Sequence, residues 1–210
     1  MNSAIEKNIN YSEKFIQPKE DPGLPKELIK FIDEKKCKFI LDMGCGEGNF
    51  IWAINKKFFG KNIEGIDISP RRINELKKRL PNLKLYLGDV CNTRINKKFD
   101  LIYSSQVIEH VSSDKKMVNE MSRLIKKGGI LFCSSVIKKP WAIYKYRNNG
   151  KFTLDPTHEK EYRNPNEFLD LFKKDFKLIS YGVNQTSRKK FKIKIKIPGF
   201  YEIFGIWKRR

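Results

Sequence analysis

Histidine and cysteine are scarce in this 210-residue chain, at two and four residues. The cysteines (Cys37, Cys45, Cys91 and Cys133) stand far apart with no Cys-x-x-Cys pair. That spacing excludes a zinc ribbon and a disulfide framework, so no metal is expected and a reducing, cytoplasmic setting suits the chain. No apolar run approaches the ~20 residues of a membrane-spanning helix. The start, Met1 to Lys7, lacks the basic-then-apolar order of a signal peptide. Also missing is a G-x-x-x-x-G-K-[ST] phosphate loop, since Gly60-Lys61 and Gly150-Lys151 have no such context. Hydrophobic residues at 40% and aromatics at 12% are enough for a packed core, which excludes a disordered tail protein.

Charge is abundant and uneven. The net charge is +20, and residues 138–210 hold 19 basic against 7 acidic groups. Such an excess suits an anionic partner, or simply lysine at solvated positions, and says nothing about fold.

Short apolar runs alternate with amphipathic stretches from residue 38 to 136. Strands are expected at Lys38–Met43, Asn62–Asp67, Lys84–Leu87, Phe99–Ser104 and Ile130–Val136. Between them Ser69–Leu80 reads as a helix, with Ser69 as its cap and Pro70 in its first turn. A second buried stripe, Met117, Met121, Leu124 and Ile125, ends at Gly128-Gly129. This alternation implies an α/β fold, a doubly wound and mostly parallel sheet with helices on both faces. Residues 1–36 read as a lid-like arm and a leading helix, and residues 37–137 as a ligand-binding core. Residues 138–165 form an aromatic-rich insertion, and residues 166–210 a helix, strands and a basic tail, all within one domain.

The strongest chemical signal is Asp42-Met43-Gly44-Cys45-Gly46-Glu47-Gly48-Asn49, directly after the first strand. Alternate glycines permit a tight turn ahead of a helix N-terminus. Asp67 ends the second strand, as nucleotide-type ligands require of a carboxylate that holds ribose hydroxyls, and Asp89 follows the third. Asn49 occupies the last glycine position of the dinucleotide fingerprint G-x-G-x-x-G, and an acid at the loop's start suits an ammonium group.

With Gly65-Ile66-Asp67, Gly88-Asp89-Val90, Phe99-Asp100-Leu101-Ile102 and Lys127-Gly128-Gly129, this run resembles the class I S-adenosylmethionine-dependent methyltransferases. Val107-Ile108-Glu109-His110-Val111 is similar to their small-molecule branch, which includes quinone and sugar methyltransferases. The resemblance implies a Rossmann-like seven-stranded sheet whose last strand runs antiparallel, enclosed between the fifth and sixth. It implies S-adenosyl-L-methionine as donor and S-adenosyl-L-homocysteine as product. Carried over, Asp42 and the Gly44, Cys45, Gly46, Gly48 and Asn49 loop face the methionine end. Asp67 faces the ribose and Asp89 the adenine amino group, with Val90 packing the ring, and Ile68, Ser105 and Gln106 complete the donor site. Cys45 reads as a small loop residue and not a nucleophile.

Either histidine could serve as a general base toward an acceptor: His110, beyond the fourth strand, or His158, in the insertion. Each could equally be a structural hydrogen-bonding residue, with Glu109 an aid to either. Trp141, Tyr144 and Tyr146 are expected to line the acceptor pocket. The leading expectation is methyl transfer to O, N or C of a small sugar, lipid-linked or quinone-like acceptor. A nucleic-acid methyltransferase is the alternative, against which Tyr103-Ser104-Ser105-Gln106 replaces the Asp/Asn-Pro-Pro-aromatic motif. A catalytically silent cofactor-binding subunit is the third reading. Lys190–Ile197 alternates like a half-buried or edge strand, and the apolar run Phe200 to Trp207 with Lys208-Arg209-Arg210 suits a membrane surface.

Overall fold

The computed structural model describes residues 3–14, 24–34, 37–58, 60–142, 146–148, 150–190 and 193–210. Helix α1 (Ser3–Lys14) and α2 (Lys26–Glu34) precede an alternating core: β1 (Phe39–Met43), α3 (Asn49–Lys57), β2 (Asn62–Asp67), α4 (Pro70–Arg79), β3 (Lys84–Leu87), β4 (Phe99–Ser105), α5 (Asp114–Leu124) and β5 (Ile125–Lys138). A small hairpin follows, β6 (Tyr146–Asn148) and β7 (Lys151–Thr153), then α6 (Pro165–Leu169) with a 3-10 turn Asp170–Phe172, β8 (Phe176–Lys190) and β9 (Ile193–Arg209).

Among the described residues seven strands form one sheet in the order β3-β2-β1-β4-β5-β9-β8. The first five are parallel, and β9 runs antiparallel between β5 and β8. Enclosed strands read as continuous apolar runs because both faces are covered. Thus Ile40, Leu41 and Met43 of β1 are wholly buried. On one face α5 and the turn at Asp170–Phe172 contribute Met117, Met121, Leu124 and Phe172. On the other, α2, α3 and α4 contribute Leu28, Ile32, Ile51, Ile54, Ile73 and Leu76. The helix starts follow the sequence signals: Ser69 Oγ accepts from the Arg72 N–H, with Pro70 in the first turn, and Ser113 caps α5.

Four expectations change. The stripe through Leu124 ends there, and Gly128-Gly129 belongs to β5, where Gly128 takes a φ of +74° and the pairing with β4 shifts register. The glycine pair shapes a strand entrance instead of a helix end. Residues 3–14 are a helix docked on the core: buried Ser12 donates to Ser69 Oγ at 2.7 Å, and Arg71 Nε donates to the Ser12 carbonyl at 2.7 Å. The Lys190–Ile197 segment extends beyond the sheet proper, where residues 193–196 pair only with residues 187–190 of β8; residues 191 and 192 lie outside the described residues. The run from Phe200 to Trp207 is the enclosed strand itself, pairing Phe200 with Lys138 and Lys208 with Ile130. Phe200, Ile203, Ile206 and Trp207 are buried. Among the described residues no helix is long and apolar enough to cross a membrane.

Candidate active site

A cavity of about 370 Å³ opens at the carboxyl ends of the parallel strands, where open α/β sheets bind ligands. The loop after β1 lines it through Gly44, Cys45, Gly46, Glu47 and Asn49; β2 sends Asp67 and Ile68, and the turn after β3 Asp89 and Val90. The end of β4 adds Tyr103, Ser105 and Gln106. Gln106 takes the left-handed φ of 56°, unusual for a side-chain-bearing residue, at the mouth of the site.

Gly44 and Gly48 owe their identity to packing as much as to ligand approach. Both have left-handed φ, and a Cβ would stand 2.3 Å from Val107 at Gly44 and 2.5 Å from Leu76 at Gly48. Gly48 is the N-cap of α3 and is not among the residues that line the cavity. The loop is tied down by Asp67, whose Oδ2 accepts from the Gly46 N–H at 2.8 Å and Oδ1 from the Ser69 N–H at 2.9 Å. Asp42 is wholly buried, and burial together with the charge of Asp67 pushes its carboxyl well above the usual range. Burial also pushes the Cys45 thiol up, which makes it a poor nucleophile. A cationic ligand relieves such a carboxylate pair, and this fits a sulfonium and an ammonium group.

The opposite wall comes from three separate segments. Ala4, Ile5, Asn8 and Tyr11 of α1 cover the cavity, with Asn8 Nδ2 donating to the His110 carbonyl at 3.1 Å. His110 lines the cavity after β4, and Asp155 and Thr157 line it from the segment after β7. Thr157 Oγ1 lies 2.6 Å from Asp155 Oδ1 and 2.9 Å from His110 Nδ1. The carboxylate only accepts, so the single hydroxyl proton goes to Asp155 and His110 Nδ1–H donates to Thr157. His110 Nε2 therefore carries a lone pair. Burial and the neighbouring His158 lower the His110 pKa to about 4, so the ring is neutral at neutral pH.

His158 is buried just outside the lining, its ring centroid 4.8 Å from that of His110 and its Nδ1 2.6 Å from Glu161 Oε1. Burial alone lowers its pKa, but the Glu161 hydrogen bond and the Glu109 charge raise it overall. Burial pushes the Glu109 carboxyl up to about 7.

The aromatic insertion does not supply the wall as expected. Trp141 is 64% exposed and lies against Gly199, away from the cavity lining. Tyr146 is near Tyr11 but outside the lining, and Tyr144 lies outside the described residues. Polar Asp155 and Thr157 reach inward from this insertion instead. Sequence reasoning missed them, together with Arg72, Tyr11 and the α1 residues; the sole signal was Asp155-Pro156-Thr157 flanking His158.

The sheet order, with its enclosed antiparallel strand, and acids at three consecutive strand ends around a glycine loop define the class I S-adenosylmethionine-dependent methyltransferases. Residues 41–133 match the family model described as a methyltransferase domain, and that stretch is a domain of this family. It is similar to malonyl-[acyl-carrier protein] O-methyltransferase 1 of Ilyobacter polytropus, 30% identical over 151 residues that cover 70% of this chain and 55% of that protein. It is also similar to the ubiquinone biosynthesis O-methyltransferase of Coxiella burnetii, 31% identical over 145 residues, 64% of this chain and 61% of that one. The chain thus spans 55–61% of the length of these curated relatives. Among solved structures, TehB of Haemophilus influenzae superposes with a TM-score of 0.67 at 16% identity, covering 90% of this chain and 63% of TehB. The N-methyltransferase NodS of Bradyrhizobium japonicum, in complex with S-adenosyl-L-homocysteine, gives 0.63 at 12% identity over 99% of both chains. These two likenesses concern the fold.

Proposed function

We propose that the chain binds S-adenosyl-L-methionine and transfers its methyl group to an oxygen of a small-molecule acceptor. The observation that carries this reading is the cavity's two-sided build. A carboxylate-rich donor end, Asp42, Asp67 and Asp89, faces a neutral imidazole whose Nε2 lone pair is available. The bound donor supplies a methyl group on a sulfonium, already a good leaving group. Asp42 and the Gly44–Gly46 backbone hold the methionine end, Asp67 the ribose, and Asp89 the adenine amino group between Ile68 and Val90. His110 Nε2 accepts the proton of an acceptor hydroxyl, with Asp155 and Thr157 fixing its tautomer. Helix α1 walls one side of the site through Ala4, Ile5, Asn8 and Tyr11.

Both relatives described above are named as O-methyltransferases, which favours oxygen over nitrogen or carbon. Arg72 lines the cavity as an ion pair with Glu47, its Nε 3.6 Å from Glu47 Oε1, and a guanidinium at this wall suits an acceptor bearing a carboxylate or another anionic group. Four free cysteines suit a cytoplasmic setting.

The test is a radiolabelled methyl-donor assay against total cell extract, fractionated into metabolites, lipids, RNA and protein. Label is expected in the metabolite or lipid fraction. Label confined to RNA or protein overturns the reading.

A further inference from the structure

Beside the cavity, on the acceptor side, three potential ligand groups converge that the donor site leaves unused. Glu109 and His110 follow one another in the loop after β4, and His158 arrives from the insertion. The side-chain ligand atoms of the three lie within 4.8 Å of one another. The insertion is pinned there by its backbone, since the Glu159 and Lys160 N–H groups donate to the Glu109 carbonyl at 2.8 and 3.1 Å.

We propose that Glu109, His110 and His158 form a binding site for a first-row divalent transition ion. Each ligand is held by an outer partner, the arrangement that orients metal-binding groups. Ser135 Oγ donates to Glu109 Oε2 at 2.9 Å, Thr157 engages His110 Nδ1, and Glu161 engages His158 Nδ1. The remaining oxygen of the carboxylate, Glu109 Oε1, is buried without a hydrogen-bond partner, in a residue that is 0% exposed. A buried carboxylate oxygen left unpaired is costly, and a cation is the partner the cluster lacks.

Two imidazoles with one carboxylate suit Mn²⁺, Fe²⁺ or Zn²⁺ better than Ca²⁺ or Mg²⁺, which prefer all-oxygen shells. Ligands about 2.0–2.2 Å from a common ion stand roughly 3.3–3.6 Å apart in a tetrahedral shell, so the side chains must close by up to about 1.5 Å around the ion.

Of the three, only His110 lines the cavity, so the open coordination positions face the acceptor. This consequence rests on the methyl-transfer reading. The acceptor hydroxyl binds the ion and releases its proton to solvent. Its oxygen then forms a bond to the methyl carbon as the carbon–sulfur bond breaks, and the donor leaves as a neutral thioether. With the ion bound, the His110 lone pair holds the metal, and deprotonation passes from the imidazole to the ion.

The test uses full-length protein stripped with a chelator and titrated with Mn²⁺ or Zn²⁺ by calorimetry, alongside a separate titration with S-adenosyl-L-homocysteine. One ion per chain is expected, with affinity lowered at least tenfold in Glu109→Gln and in His158→Asn. Pulsed electron paramagnetic resonance of the Mn²⁺-loaded wild type should show coupling to two imidazole nitrogens, a readout that needs no variant to fold. Absence of stoichiometric binding by protein that still binds the homocysteine product overturns the metal site alone. Binding without nitrogen coupling overturns it as well. Metal binding without any product binding leaves the site standing and counts against the methyl-transfer reading instead.

Discussion

The Gly46 N–H donates to Asp67 Oδ2 across 2.8 Å, so the glycine loop after the first strand is fastened to the acid that ends the second. Asp67 therefore has two tasks, shaping the loop and offering its remaining lone pairs to ribose hydroxyls. Asp67→Ala should weaken donor binding by about 2–4 kcal/mol, as expected for lost hydrogen bonds to a charged acceptor. Asp67→Asn keeps one acceptor oxygen and should lose less. Calorimetry with S-adenosyl-L-homocysteine checks both, and unchanged affinity in the alanine variant removes Asp67 from the site.

Thr157 passes the influence of Asp155 to His110 through one hydroxyl. Thr157→Val preserves shape but releases the imidazole to either tautomer. The expected result is a fall in kcat of about tenfold or more with donor affinity unchanged, below the ~10²–10⁴-fold worth of a whole general base. Steady-state kinetics with saturating donor checks it, and Thr157→Ser, which restores the hydroxyl, should recover most of the rate.

Helix α1 both lines the cavity and packs on the core, so ligand and helix should order one another. Ala4, Ile5, Asn8 and Tyr11 face the space a donor fills. Bound S-adenosyl-L-homocysteine is expected to slow amide hydrogen exchange across residues 3–14, because local opening is then coupled to ligand loss. Exchange in that helix unaffected by saturating ligand would assign it to scaffolding alone.

How far the sequence carried depended on how local each cause is. Apolar runs at Phe39–Met43 and Asn62–Asp67, with acids at their ends, announce a sheet edge and a donor site because strand, turn and helix start are neighbours in the chain. The Ser69 cap was legible for the same reason. The wall opposite was not. Tyr11, Arg72, Asp155 and Thr157 are separated by up to 146 residues and meet only through the packing of α1 and the insertion, which no short spacing encodes. Aromatic content pointed to Trp141, whereas an exposed ring at a loop edge is compatible with that composition and carries no site. The Glu109, His110 and His158 cluster is hidden for the related reason that 48 residues separate His158 from His110 and no short metal-ligand spacing links them.

Glu120 lies on α5 and accepts from Arg123 at 2.8 Å and from the Thr93 hydroxyl at 2.7 Å. The Arg123 bond first, and the Thr93 bonds against the opposing effect of burial, lower its carboxyl to about 2. A depressed carboxylate stabilises the fold above its unfolded pKa near ~4.3, and that stabilisation is lost as pH falls toward 2. Screened by solvent, it should amount to no more than about 1 kcal/mol. Urea midpoints of wild type and Glu120→Gln should differ at pH 6 and converge near pH 2. A difference that persists at pH 2 would assign the effect to packing.

Trp207 is 1% exposed in the enclosed strand β9, with its ring centroid 4.1 Å from that of Phe172 and 5.9 Å from that of Phe168. Strand β9 also supplies the backbone partners of both β5 and β8. Trp207→Ala should cost about 3–5 kcal/mol, the range for emptying a large aromatic site. Deletion of residues 199–210 removes that side chain together with two ladders of backbone hydrogen bonds, and unpaired backbone in a buried sheet is costly. The truncated protein is therefore expected to lose its cooperative urea transition and near-ultraviolet circular dichroism, where a dispensable tail would leave both intact. Loss of vesicle binding on that deletion would report unfolding, so any contact of the basic C-terminus with anionic lipid is better tested by replacing Lys208 and Arg210 with glutamine. A truncated chain with the wild-type urea midpoint would show that the last strand is not needed to hold the sheet together.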